Sequence, residues 1–127
     1  MHITPRDLLD TFFASFNTGD LDGTASLYEG SGVFVARPGI AAEGSAAVRA
    51  ALAQFFALRP QLAMKASRII VAGDIALALT RWTLDGAGPD GPIQMTGTAT
   101  DVLRRQPDGA WRVAIDNPWG IAALEVS

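Results

Sequence analysis

Asp101 and Asp116 each sit among apolar residues on two strand-like segments joined by Pro107-Asp108-Gly109, and they are the residues of this chain best placed to do chemistry. A carboxylate in an apolar strand costs several kcal/mol unless it is paired, hydrogen-bonded or used. Where two such groups meet in a pocket, burial and the neighbouring charge raise the pKa of one of them, which can then serve as a general acid or base. Arg37, just beyond a short strand at 33–35, is the cation to set against them. It either binds an anionic or carbonyl-bearing ligand beside the acids or neutralises one of them in a buried network. Asp116 has a further structural reading, because Asn117-Pro118 follows it and an Asx turn at a strand end would occupy its oxygens.

The turn decides whether the two acids share a face. A two-residue turn at Asp108-Gly109, or a four-residue loop over 106–109, puts Asp101 and Asp116 on the same side of the sheet. A three-residue loop, with Pro107-Asp108-Gly109 as a type I turn plus a glycine bulge, instead aligns Asp101 with Trp111, Val113 and Ile115. Gln106 precedes a proline and so avoids the helical region, which suits the three-residue loop. Thr96, Thr98 and Thr100 line the outer face in the first register and the pocket in the second.

An apolar wall around the acids is expected from Phe12, Phe16, Met95 and Trp119, the last lying just past the final strand. Tyr28 offers a hydroxyl, to a ligand or to backbone. Other chemistries lack their participants. Without cysteine there is no disulfide, thiolate nucleophile or zinc–thiolate site. His2 is the only histidine, which leaves no partner for a His-based metal site or for Ser-His catalysis, and neither a metal nor a cofactor is expected. The glycine-rich segment at 86–92 has no Lys-Ser/Thr and opens no helix, so it is read as a long hairpin loop and not a phosphate loop. With a net charge of −3 and scattered Lys and Arg, nucleic acid is not an expected partner. No run approaches the roughly 18 apolar residues of a membrane span, and the first ten residues do not read as a signal peptide, so the cytoplasm is the expected compartment.

The elements that must position these residues follow from patterning. At 127 residues, 49% of them hydrophobic, the chain suits one domain over 1–127 with a substantial core. Thr4, Pro5 and Asp7 open a helix over 5–17, in which Leu8, Leu9, Phe12, Phe13 and Phe16 recur at helical spacing. Gly19 ends it, and Asp20 caps a second helix carrying Leu21, Ala25, Leu27 and Tyr28 up to Gly30. The strand at 33–35 is closed by Pro38-Gly39. Glu43-Gly44-Ser45 introduces a third helix, lined by Val48, Leu52, Phe55 and Phe56 and stopped at Arg59-Pro60. Four strands follow, at 62–71, 75–84, 93–104 and 110–117, with Gly73-Asp74 as a tight turn, and they form an antiparallel meander. Three helices followed by strands is an α+β layout in which helices cover one face of a curved sheet. Bulky groups on both faces of the last strand point to an outer face hidden against another subunit.

The segments FNTGDLDGTASLYEGSGVFV, EGSAAVRAALAQFF, AGDIALALTRW and TDVLRRQPDGAWRV together resemble, over nearly the whole chain, the nuclear transport factor 2-like superfamily, especially its SnoaL-like and ketosteroid isomerase-like small bacterial proteins. That resemblance implies a cone, a strongly bent, mostly antiparallel sheet wrapped around three N-terminal helices (the cystatin-like α+β roll). It also implies a pocket in the open mouth and a homodimer through the outer sheet face. In the ketosteroid isomerases a tyrosine on the first helix and a protonated aspartic acid donate hydrogen bonds to the enolate, while another aspartate moves the proton. Here Phe12 stands at the tyrosine position and Arg37 at that of the base; only Asp101 keeps the residue type. Two of three catalytic positions are therefore replaced, and an arginine cannot shuttle protons near neutral pH. The resemblance favours the four-residue loop, which directs Asp101, Ala114 and Asp116 into the cone.

The expected function is small-molecule binding, with an apolar or aromatic ligand held in the cone through Arg37, Asp101 and Asp116. Two alternatives stand beside it. One is an isomerase- or polyketide-cyclase-like enzyme using Asp101 or Asp116 as acid or base. The other is a non-catalytic dimerisation module whose cone is filled by its own side chains.

Overall fold

The structure is a computed structural model that describes residues 4–125; His2 lies outside them. Helix α1 (Pro5–Asn17) begins with a reciprocal cap, in which the Thr4 hydroxyl accepts from the Asp7 N–H at 3.1 Å and the Thr4 N–H donates to the Asp7 carboxylate at 3.2 Å. Asp20 caps the short α2 (Leu21–Ala25) by accepting from the Gly23 N–H at 2.9 Å. The third helix, α3, spans Ser45–Phe56. Six strands complete the chain: β1 (Tyr28–Arg37), β2 (Ile40–Glu43), β3 (Gln61–Ala72), β4 (Ile75–Gly88), β5 (Gly91–Arg105) and β6 (Trp111–Asp116). A 3₁₀ turn at Gly120–Leu124 follows.

The sheet runs in the order β2-β1-β6-β5-β4-β3. The expected meander of β3 to β6 is present, and β1 joins its far edge by pairing parallel to β6. That pairing corrects the reading of Tyr28. The second helix stops at Ala25, and Tyr28 opens β1 opposite Val113, while the Val113 N–H donates to the Leu27 carbonyl at 2.9 Å. A partner strand 85 positions away in sequence overrides a local helical pattern that Gly30 and Gly32 already weaken. The glycine-rich segment also differs from a long loop. Strands β4 and β5 continue through it to the pair Gly88↔Gly91, leaving only Pro89-Asp90 as the turn. Strand β2, four residues with no alternation to announce it, forms a hairpin with β1 across Pro38-Gly39.

Alternation along β4 sets the inner face: Ala76, Ala78, Thr80, Trp82 and Leu84 are all buried, and their neighbours are not. Leu8 and Phe16 of α1 and Val48 and Leu52 of α3 pack onto this face together with Leu103, Trp111 and Val113. Each such buried Leu, Val or Phe contributes about 1.5–3 kcal/mol. Asn17 fastens the end of α1 to the β3 edge, accepting from the Leu62 N–H at 2.7 Å and donating to its carbonyl at 2.8 Å. On the outer face, ladder pairing places Ile70, Leu77, Val102, Ile115 and Val33 in one row across five strands. Ile70, Leu77 and Ile115 in that row are exposed. Among the described residues no helix is long and apolar enough to cross a membrane.

Candidate functional site

The β5–β6 hairpin combines both registers open to the sequence. Its tip is the three-residue loop: the Gly109 N–H donates to the Gln106 carbonyl at 2.9 Å, the Gln106 N–H donates to the Ala110 carbonyl at 2.7 Å, and Gly109 has φ +89°, a conformation that suits glycine. The ladder then pairs Arg105 with Trp111 and Leu103 with Val113, but the next pair is Val102 with Ile115. Ala114 is the extra residue of a β-bulge. Val113 and Ala114 consequently both face inward, and Asp116 arrives on the same face as Asp101. Trp111 and Val113 share that face, as the three-residue loop requires, whereas Ile115 turns out to solvent. Thr96 and Thr98 lie exposed on the outer side.

The bulge brings the acids together at the floor of the cone. Asp116 is 8% exposed, and Tyr28, buried beside it, donates its phenolic hydrogen to Asp116 Oδ2. Asp101 lies within hydrogen-bonding reach of Asp116, and its Oδ1 accepts from the Asn117 N–H at 2.7 Å. Burial, reinforced by the charge and hydrogen bond of Asp116, pushes the Asp101 carboxyl well above the usual carboxylate range; the Asn117 N–H opposes this. Burial also raises Asp116, while hydrogen bonds from Tyr28 and Asp101 act in the other direction. The Tyr28 phenol is itself pushed up, chiefly by burial and then by Asp116, and so stays a donor. Both carboxyls are raised, Asp101 the further, so of the two Asp101 keeps its proton to the higher pH. Asp116 therefore forms no Asx turn of its own; it is Asp101, across the strands, that takes the Asn117 N–H.

Above the pair lies a partly open cavity of about 80 Å³, several times the ~10–15 Å³ that one water requires. Its lining includes Phe12, Phe16, Trp82 and Trp119, and among the described residues its only polar side chains apart from tryptophan N–H groups are Thr80, Asp101 and Asp116. Trp119 is fixed there by donating from Nε1 to the Val35 carbonyl at 2.9 Å and by edge-on contact with Trp82, with ring centroids 5.8 Å apart. Trp82 in turn donates to the Pro118 carbonyl at 2.8 Å.

Three expected site residues stand elsewhere. Arg37 is exposed at the end of β1, where a register shift between Val35 and Arg37 carries it to the hairpin turn opposite Ile40. It lines no part of the cavity and makes no ion pair with either acid among the described residues. Neither role set out for it is fulfilled, and hydrogen bonds from Tyr28 to Asp116 and from the Asn117 N–H to Asp101 hold the acids instead. Met95 packs against the core opposite Leu84 without lining the cavity. Tyr28 lies behind the acids and reaches the cavity only through Asp116. Conversely, Thr80 lines the cavity although the sequence does not mark it as a site residue. Its one signal there is a hydroxyl at an inward position of the alternating segment Ile75–Leu84.

A family model described as a SnoaL-like domain matches residues 9–114. Among solved structures, a nuclear transport factor 2-like superfamily protein from Salmonella enterica superimposes with a TM-score of 0.78 at 18% identity, over 87% of this chain and 84% of that one. A nuclear transport factor 2-like protein with a cystatin-like fold from Novosphingobium aromaticivorans gives 0.75 at 18% identity, over 95% and 86%. A protein of unknown function from Mycobacterium tuberculosis gives 0.74 at 26% identity, over 87% of this chain and 66% of that one. No curated protein matches.

Proposed function

Because the chain belongs to the SnoaL-like domain family, we propose that its cavity binds a small, mainly apolar or aromatic molecule and presents that molecule's polar group to the Asp101–Asp116 pair. The observation that carries this reading is a carboxyl pair, Asp116 buried and Asp101 half-buried, with no cation beside it among the described residues, opening onto an aromatic-walled cavity. Replacing buried charges by well-packed hydrophobic residues is often neutral or stabilising, so a fold gains little by keeping such a pair for structure alone. Thermal-shift screening against aromatic polyketides, steroids and apolar acids tests it. A stabiliser from one of these classes is expected, and the absence of any stabiliser across all three counts against the reading.

A second reading, acid/base catalysis, is favoured by the raised carboxyls of the pair. Asp101, the further raised, is the candidate to donate a proton to an oxygen gaining charge, and Asp116 the candidate to receive one. The replaced isomerase positions exclude direct transfer of that family's route, since Phe12 has no hydroxyl and Arg37 stands outside the cavity. Under this reading Asp101→Asn abolishes turnover of a bound ligand while preserving its binding. The outer row of Ile70, Leu77 and Ile115 supports a further part of the proposal, association of two copies through the outer sheet face.

A further inference from the structure

Strand β3 is an edge of the sheet, and its free side is only partly closed. At its start Asn17 stands in for a neighbouring strand, because its side-chain amide takes both the N–H and the C=O of Leu62. Those two groups therefore point away from β4. After the bulge at Lys65, Ser67, Ile69 and Val71 lie opposite Thr80, Ala78 and Ala76, which continue the β4 alternation that begins with Leu84 opposite Leu62. In an antiparallel ladder alternate residues turn their N–H and C=O the same way. Ser67, Ile69 and Val71 thus direct theirs to the free edge, where no described residue takes them. Side chains along this stretch are open too: Ile70 is 51% and Val71 54% exposed. On the outer face Arg81 lies opposite Ala66, beside Lys65, and Arg68 is two residues further along β3. All three cations are exposed, and none makes an ion pair among the described residues. Like charges gathered on neighbouring strands are unfavourable until an acid meets them.

The geometry points to the β3 edge from Ser67 to Val71 as a docking site for an extended acidic segment of a partner protein, which adds to the sheet as a further strand. Main-chain bonds to Ser67, Ile69 and Val71 supply affinity in this mode, and alternate side chains supply the choice of partner. Residues of the incoming strand on the inner face cover Ile69 and Val71 and are apolar. Those on the outer face lie beside Lys65, Arg68 and Arg81 and are acidic. The same cations act against a second copy of β3, since self-pairing would bring two basic clusters together. The site is independent of the cavity and of any ligand held there.

The probe is a hexapeptide of alternating valine and glutamate, blocked at both ends. One control carries lysine in place of glutamate; the other is N-methylated at its two central residues, which removes main-chain donors and leaves the charge. NMR titration of the full chain reads affinity, and amide hydrogen exchange reads the pairing. At saturation the glutamate peptide is expected to slow exchange at Ile69 and Val71 about tenfold, and both controls to bind about tenfold more weakly or worse. Arg68→Glu, a change at an exposed position, is expected to weaken the glutamate peptide about tenfold and to strengthen the lysine peptide. Failure of the glutamate peptide to bind overturns the proposal. So does binding that N-methylation or Arg68→Glu leaves unchanged, or that leaves exchange at Ile69 and Val71 as it was, since the peptide would then adsorb without forming a strand. Slow exchange at these two amides in the peptide-free chain also overturns it. If that slowing is independent of protein concentration, the chain fills its own edge; if it grows with concentration, a second copy does.

Discussion

Asp101 and Asp116 carry the same side chain yet are raised to different degrees, because their partners differ. Asp116 accepts the Tyr28 hydroxyl and Asp101's proton, whereas Asp101 accepts one backbone N–H and faces a negative charge. The folded pKa of Asp101 is thus raised above its unfolded value of about 3.9. The folded state binds more protons than the unfolded one, so this group's stabilisation is complete below about pH 4 and is lost as pH rises through the folded pKa. Asp101→Asn keeps an acceptor for Asn117 and an N–H donor for Asp116 while removing the ionisation. Its urea midpoint should exceed that of the wild type near pH 8, with the gap narrowing toward pH 4. A gap independent of pH would contradict the raised Asp101 carboxyl. Both acids were legible in the sequence because charge is conspicuous in an apolar strand. Arg37 misled because closeness to a strand says nothing of which way its last residue points. Thr80 was hidden because threonine is ordinary in strands.

At the scale of elements, α1, α3 and the four-strand meander followed from capping residues and apolar spacing, which act locally. Two features were out of reach for the same physical reason. The parallel β1–β6 pairing and the bulge at Ala114 are decided by contacts between distant segments, and neither leaves a mark on residues close in sequence. The segment after β6 shows how tightly such contacts hold the cavity wall. Gly120 has φ +54°, and a Cβ there would lie 2.3 Å from the Thr98 carbonyl oxygen. The Asn117 side-chain amide donates to both the Gly120 carbonyl and the Thr100 hydroxyl, at 3.1 Å each. Gly120→Ala is expected to destabilise the protein by about 2–4 kcal/mol, combining backbone strain with a clash that cannot relax. Chemical denaturation would measure it, and a loss below about 0.5 kcal/mol would mean that the Asn117–Trp119 turn moves freely.

For the molecule as a whole, the order of helices and then strands was enough to read an α+β fold with a curved sheet, and the family match agrees with it. What order alone could not supply is the surface arrangement. The outer apolar row exists because separate ladders fall into line, each adding one residue to it. If two copies associate there, a charge in the middle of the row should separate them. Leu77→Lys is expected to sediment as a monomer under conditions where the wild type is a dimer, with its melting temperature little changed at low concentration. A wild type that sediments as a monomer throughout would end the dimer proposal.

Tyr28 and Asp116 meet across 88 positions of chain. Closing so long a loop has an entropic cost that one hydrogen bond cannot offset, and it is recovered only once the intervening strands are in place. The acid pair is therefore not the property of a hairpin that forms early and waits. It is completed when the first strand docks beside the last, and any opening that frees either one takes the Tyr28 hydroxyl from Asp116 and lets water reach both acids.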